Sequence, residues 1–333
     1  MTHAETLAPP FAPPLGMRAA FTQSLLATKR PARLVWRRRS IDLSHTPQTI
    51  LDCGDGVRLT GYYSAQPAGV RPRGLVVLIH GWEGHHESNY LYSMACHLFA
   101  ERYNVFRLNL RDHGATHHLN EQLFHSARMG EVLGAFRAIR KLDTTDPLFV
   151  LGFSLGGNFA LRVGLQGPAA GVQPRLVAAI SPSINPGATL RAIDEGPSIV
   201  HRYFIGKWMR TLDAKQEAWP GRYDFQPYHA LRNFVAITER FVADFTEYAS
   251  MESYLAQYTL TPDLLMRSPT PLAIVTSRDD SVIPIRDFDG LAVRGAMQAF
   301  LPTDRGGHCG FIDSWAMRSW AEARVLEWFA RAS

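Results

Sequence analysis

The sequence predicts an α/β fold, a mostly parallel central sheet flanked by helices with a helical insertion over residues 184–265. Three observations carry that reading. Continuous apolar runs recur at 74–79, 147–153, 175–180 and 271–276, as strands buried on both faces require. Segments of helical period separate them; in Ser88 to Arg102 the stripe is Leu91, Met94, Ala95, Leu98 and Phe99. Finally, Pro147 to Leu151 runs through Gly152-Phe153-Ser154-Leu155-Gly156 into a helix, an abrupt strand-to-helix turn with a serine at its apex.

In chain order, residues 1–30 read as a proline-rich tail, with Pro9-Pro10 and Pro13-Pro14, followed by a short helix. Segments 34–41, 48–53 and 57–64 read as antiparallel strands, the last two joined through Asp55-Gly56. The buried strand Gly74 to Ile79 follows, then the helix Ser88 to Arg102, a strand from Tyr103 to Leu110, a helix from Ser126 to Leu142, and the strand that delivers Ser154. After the strand Arg175 to Ile180 the rhythm breaks. Residues 184–265 are aromatic-rich, with Tyr203, Phe204, Trp208, Trp219, Tyr223, Phe225 and Tyr228, and read as a helical cap over the C-terminal ends of the strands. Those aromatics either line a pocket or form the core of the cap. A strand at 271–276, a helix near 287–295, a strand from Met297 to Leu301 and a helix over 312–331 complete the chain. The implied organisation is a tail and helix (1–30), a first part of the core (31–183), the cap (184–265) and a second part of the core (266–333).

Composition excludes several classes. Hydrophobic residues make up 46% and charged residues 20% of 333, which is globular, and no apolar stretch reaches the length of a membrane span. The formal charge is +5, but the only dense basic run is Arg37-Arg38-Arg39, without interleaved aromatics or Cys/His finger spacing, so no nucleic-acid partner is expected. A weak peripheral association with lipid or an anionic membrane surface stays open. Cys53, Cys96 and Cys309 form neither a disulfide framework nor a zinc pattern, and residues 1–16 lack a signal-peptide pattern, so a cytoplasmic location is expected. Nothing specifies an oligomeric state; a monomer is compatible.

The chemistry converges on Ser154. Helix N-terminal N–H groups point at charge developing on a bound carbonyl oxygen, which makes the Leu155 N–H one oxyanion donor. Ile79-His80-Gly81-Trp82-Glu83-Gly84 ends the first buried strand, where Gly81 and Gly84 allow the loop to bend back and place the Trp82 N–H opposite. His80 suits packing against that loop better than proton transfer. Asp279 and Asp280 follow the penultimate strand; Asp280, directly before Ser-Val-Ile-Pro, is the better candidate to orient an imidazole, and Asp279 is the alternative or a turn cap. His308, in Gly306-Gly307-His308-Cys309-Gly310, follows the last strand and would be the base, giving the chain order Ser, Asp, His. His80, His85, His86, His113, His117 and His118 crowd loops at this end without the spacing of a metal site, and no phosphate-binding loop occurs, so neither metal nor cofactor is expected.

These motifs, with Asn109-Leu110-Arg111-Asp112-His113-Gly114, resemble the α/β-hydrolase superfamily and, within it, the YheT-like or EMB8-like hydrolases related to the ABHD proteins. The resemblance spans residues 80–311. It implies Ser154 as nucleophile, Asp280 as acid and His308 as base, acting as an esterase on a small-molecule carboxylic ester. Arg111, Asp112 and His113 would shape the site, with capping or ion pairing as an equal account. Ser281 departs from the proline frequent after the aspartate, and the middle segment is too individual to carry a substrate over. Short to medium apolar acyl esters, lipid esters included, are the expected class. An acyltransferase using the same residues and a noncatalytic binding protein on the same scaffold are the alternatives.

Overall fold

Eight strands form a single sheet in the computed structural model, which describes residues 10–333. Residues 1–9, which hold Pro9 and the start of the proline-rich tail, lie outside the described residues. The elements in chain order are α1 (Ala20–Lys29), α2 (Ala32–Arg37), β1 (Gln48–Asp52), β2 (Arg58–Ser64), β3 (Leu75–Ile79), α3 (Asn89–Ala100), β4 (Asn104–Asn109), α4 (Met129–Leu142), β5 (Leu148–Phe153), α5 (Leu155–Gln166), β6 (Pro174–Ile180), α6 (Pro186–Glu195), α7 (Ser198–Ala218), α8 (Phe234–Phe245), α9 (Met251–Ala256), α10 (Pro262–Met266), β7 (Leu272–Ser277), β8 (Met297–Thr303) and α11 (Trp320–Ala332). The sheet order is β1-β2-β4-β3-β5-β6-β7-β8. β1 and β2 pair antiparallel, as does β2 with β4, and every later pair is parallel. This is the mostly parallel, helix-flanked sheet the apolar runs predict.

Alternation along the strands separates two cores. Leu75, Val77 and Ile79 of β3 join Val132, Phe136 and Ile139 of α4 and Phe159 and Ala160 of α5 on one face. Val76 and Leu78 point the other way, to Leu91, Met94 and Leu98 of α3 and Val325 and Phe329 of α11. The second face is closed by aromatic stacking of Phe149 on Phe329, with ring centroids 4.5 Å apart. Because β3, β5, β6, β7 and β8 run parallel, the loops that follow them all open at one edge, and β5 lies inside the sheet between β3 and β6.

Three sequence expectations are corrected. The strand expected at 34–41 is instead α2 and a turn: Trp36 buries its ring and donates its indole N–H to Ser93 Oγ of α3 at 3.1 Å, while Arg37, Arg38 and Arg39 remain exposed. A short apolar run cannot by itself distinguish a strand from a helical turn. The helix expected near 287–295 is a single 3-10 turn, Ile285–Phe288, followed by irregular chain. Gly290 and Gly295 both hold positive φ there, and Phe288 and Leu291 are anchored in the core without helix. The final helix begins at Trp320, eight residues later than expected, after a β-bridge between Ile312 and Ser319.

Candidate active site

Ser154 follows β5 directly and holds φ 52°, ψ −121°, a conformation in which its backbone turns sharply into α5. Its N–H donates to Ile180 O of β6 at 2.9 Å, so the neighbouring strand helps fix the turn. The approach of α5 to the end of β3 requires a missing side chain: a Cβ on Gly156 would lie 2.3 Å from His80 O and 2.4 Å from Ile79 O. On the other side, the Gly81 backbone lies so close that a Cβ there would be 3.2 Å from Ser154 Cβ.

The loops after β7 and β8 bring two further groups to Ser154. His308 Nε2 lies 2.9 Å from Ser154 Oγ, and His308 Nδ1 lies 2.9 Å from Asp280 Oδ2. A carboxylate only accepts, so in the neutral ring the proton sits on Nδ1 and Nε2 is left to accept from the serine hydroxyl. Asp280 is itself fixed: Oδ1 accepts the N–H groups of Val282 at 2.8 Å and Ile283 at 3.1 Å. Burial works against the imidazolium, but the adjacent Asp280 charge outweighs it and holds the His308 pKa well above the ordinary 6.5. Asp279 is also engaged, accepting the Gly307 N–H at 2.9 Å and so bracing the loop that carries His308.

The Trp82 and Leu155 N–H groups have no hydrogen-bond partner among the described residues. Around Trp82 the amides are committed: Gly81 N–H donates to Tyr90 Oη at 3.0 Å, Glu83 N–H to His113 Nε2 at 3.1 Å, and Gly84 N–H to Gly81 O at 2.9 Å. The loop thus keeps one amide unspent beside Ser154.

The remaining predicted residues form its buttress. His80 is fully buried, with Nδ1 2.8 Å from Gly81 O and Nε2 accepting the Leu110 N–H at 3.1 Å; burial holds its pKa well below 6.5. His113, packed against it, is pushed down to about 4 by burial, which leaves Nε2 free to accept from Glu83. Arg111 forms a buried pair with Glu131 at 2.7 Å, and Asp112 one with Lys215 of α7 at 2.8 Å. Lys215 also donates to Asn120 O at 2.6 Å. These two buried pairs tie the loop after β4 to α4 and to the helices above. Glu83, at φ 56°, reaches the same helix: Thr211 Oγ1 donates to its carboxylate at 2.5 Å, Lys207 Nζ donates to its carbonyl at 2.7 Å, and burial pushes its carboxyl up to about 7.

Two cavities meet at Ser154. The inner one, of about 120 Å³, is walled by Trp82, Leu190, Ile193, Trp208, Phe234 and Tyr258 among others. The outer cleft, of about 540 Å³, runs between α1, the 81–90 loop and α7 and includes His308. The aromatics of residues 203–228 divide between the two expectations. Phe204 and Trp208 face the cavities, whereas Tyr223, Phe225 and Tyr228 pack with Leu212, Ile237 and Phe241 in a separate core.

The short helix expected before residue 30 is α1, but sequence reasoning missed its contacts with the site. Ser24 Oγ accepts the His308 N–H at 2.8 Å. Gln23, fully buried, accepts the Ile312 N–H at 2.7 Å and returns its own amide to Ile312 O at 3.0 Å. No local pattern signals these contacts, because the partners are 284 to 289 residues apart.

Known proteins share this architecture. YheT of Escherichia coli (strain K12), provisionally named an esterase, is 22% identical over 287 residues, covering 84% of this chain and 83% of YheT. The Pyrococcus furiosus esterase Pf2001 superposes with a TM-score of 0.56 at 15% identity, over 89% of this chain and 94% of that one. Est1E of Butyrivibrio proteoclasticus, solved with ferulic acid, gives 0.54 at 16% identity over 85% and 98%. Residues 76–317 match the family model described as Alpha/beta hydrolase family, and the chain belongs to that family.

Proposed function

We propose that the protein is a serine hydrolase of carboxylic esters, a YheT-like enzyme acting through an acyl-serine. The observation that carries this reading is the continuous relay Asp280 Oδ2, His308 Nδ1, His308 Nε2, Ser154 Oγ, with both contacts at 2.9 Å, beside two unspent backbone N–H groups. His308 Nε2 takes the hydroxyl proton as Ser154 Oγ attacks the ester carbonyl. The resulting oxyanion is held by the Trp82 and Leu155 N–H groups, each worth about 3 kcal/mol in such sites. The intermediate collapses as the imidazolium gives its proton to the departing alkoxide, leaving the acyl-serine. Water then loses a proton to His308 and attacks the acyl carbon; the proton returns to Ser154 as the acid leaves. A fluorophosphonate should label Ser154 alone and abolish ester turnover in step with labelling. A folded protein that hydrolyses esters while Ser154 stays unlabelled would overturn the assignment.

The inner cavity serves as the acyl pocket, under the cap that α6 to α9 form. Its 120 Å³ takes about four groups of water size. Each methylene it buries contributes about 0.8 kcal/mol, or roughly fourfold in catalytic efficiency. In a series of p-nitrophenyl esters from acetate to palmitate, kcat/KM should rise to butyrate or hexanoate and then fall. A flat profile, or a maximum at palmitate, would remove the inner cavity from acyl recognition.

A further inference from the structure

The outer cleft carries a charge that the acyl chemistry does not use. It is larger than the inner cavity, and with the acyl group seated inside, the leaving alcohol faces it across Ser154. α7 presents Ile199, Tyr203, Lys207 and Arg210 to it, positions that fall along one helical face. α1 presents Phe21, Leu25 and Lys29 in the same order, apolar first and cationic last. None of Lys29, Lys207 or Arg210 forms an ion pair among the described residues, although the charges of Lys207 and Arg210 act on the nearby Glu83 carboxyl. The acidic groups of the cleft are already engaged: Glu87 pairs with Arg33, and Glu83, which lines both cavities, has its carboxyl bonded to Thr211 and pushed up to about 7 by burial, so it offsets the cations only in part. Other cations near the site are neutralised, Arg111 by Glu131 and Lys215 by Asp112. Lys207 is also held in place, with Nζ bonded to Glu83 O and seated 5.3 Å from the centre of the Tyr203 ring.

We propose that the outer cleft binds the alcohol half of the ester and favours alcohols in which an apolar body ends in an anionic group. Phe21, Leu25, Ile199 and Tyr203 cover the apolar body, while Lys29, Lys207 and Arg210 receive the anion. The proposal rests on the ester-hydrolase reading above and adds the chemical class of the leaving group. An excess of cations lining a cleft with low-dielectric walls raises the local concentration of an anionic substrate, an effect of about tenfold or more that salt suppresses.

The test compares 4-nitrophenyl butyrate with 3-carboxy-4-nitrophenyl butyrate, the kcat/KM of each divided by its rate constant with hydroxide. At low ionic strength the normalised ratio should favour the carboxylated ester about tenfold. It should fall toward one in about 0.5 M NaCl, and also in the double variant Lys29→Ala, Arg210→Ala. A wild-type ratio of one or less overturns the proposal, as does a preference that survives both salt and the double substitution. If neither ester is hydrolysed and Ser154 resists fluorophosphonate, the ester-hydrolase reading fails and takes this proposal with it. Turnover of both esters at equal normalised rates overturns the charge preference alone.

Discussion

Ser154→Ala should lower kcat for an ester substrate by about a million-fold, and His308→Ala by a similar factor, because groups that act as one relay are not additive. The two variants differ in what they leave behind. Alanine at 154 keeps the backbone of the turn, and the imidazole it faces retains Asp280, so the fold should be unchanged. Removing the His308 ring strands Asp280 Oδ2, whose side chain is fully buried, and a buried charge without its partner is destabilising. Only the histidine variant should therefore melt at a lower temperature. Steady-state kinetics on samples of known folded fraction, with thermal melts alongside, provide the check. A Ser154→Ala enzyme within tenfold of the wild-type kcat would overturn the nucleophile assignment.

Asp280→Asn should cost about 10⁴-fold in kcat, and the reason can be traced through its hydrogen bonds. Oδ1 accepts from Val282 and Ile283 N–H, so an asparagine keeps its oxygen there and turns its NH2 toward His308. The ring must then accept at Nδ1 and carry its proton on Nε2, which cannot take the serine proton. The pH profile supplies a second readout. The neutral ring is the active form, so kcat/KM in the wild type should rise with pH through a pKa above 6.5, since Asp280 raises that of His308 against burial. With the charge gone, the main opposition to burial is lost and the acid limb should move to lower pH. Asp279→Asn keeps an oxygen for the Gly307 N–H and should lose less than about tenfold. The reverse ranking of the two aspartates, or an acid limb that does not move, would reassign the orienting role.

What could be read in advance follows from how local each signal is. The serine turn, the glycine loop after β3 and the loop carrying His308 are each legible within six residues, because glycines must stand where backbones touch. The continuous apolar runs separated by helical segments likewise imply a parallel sheet, and a parallel sheet gathers the ends of β3, β5, β7 and β8. Short apolar stretches did not carry such information: Leu34 to Ile41 has no period long enough to separate a strand from α2, whose course is set by the docking of Trp36 against α3. The division of the aromatics also depends on how α7 and the segment 219–230 each pack against α8, and single residues do not declare that. Gln23 and Ser24 have no sequence signature at all.

The link between α1 and the His308 loop has a consequence for the order in which the molecule assembles. Closing a chain of about 285 residues costs about 5 kcal/mol in entropy by simple polymer scaling. The three hydrogen bonds that join Ser24 and Gln23 to residues 308 and 312 return about 1 kcal/mol each. They cannot draw the two segments together alone. The sheet must already have brought β8 beside β7 before α1 can lock onto the loop, so the serine turn, built from adjacent residues and the neighbouring strand, is set early and His308 late. A chain with its secondary structure complete can therefore still lack a placed His308.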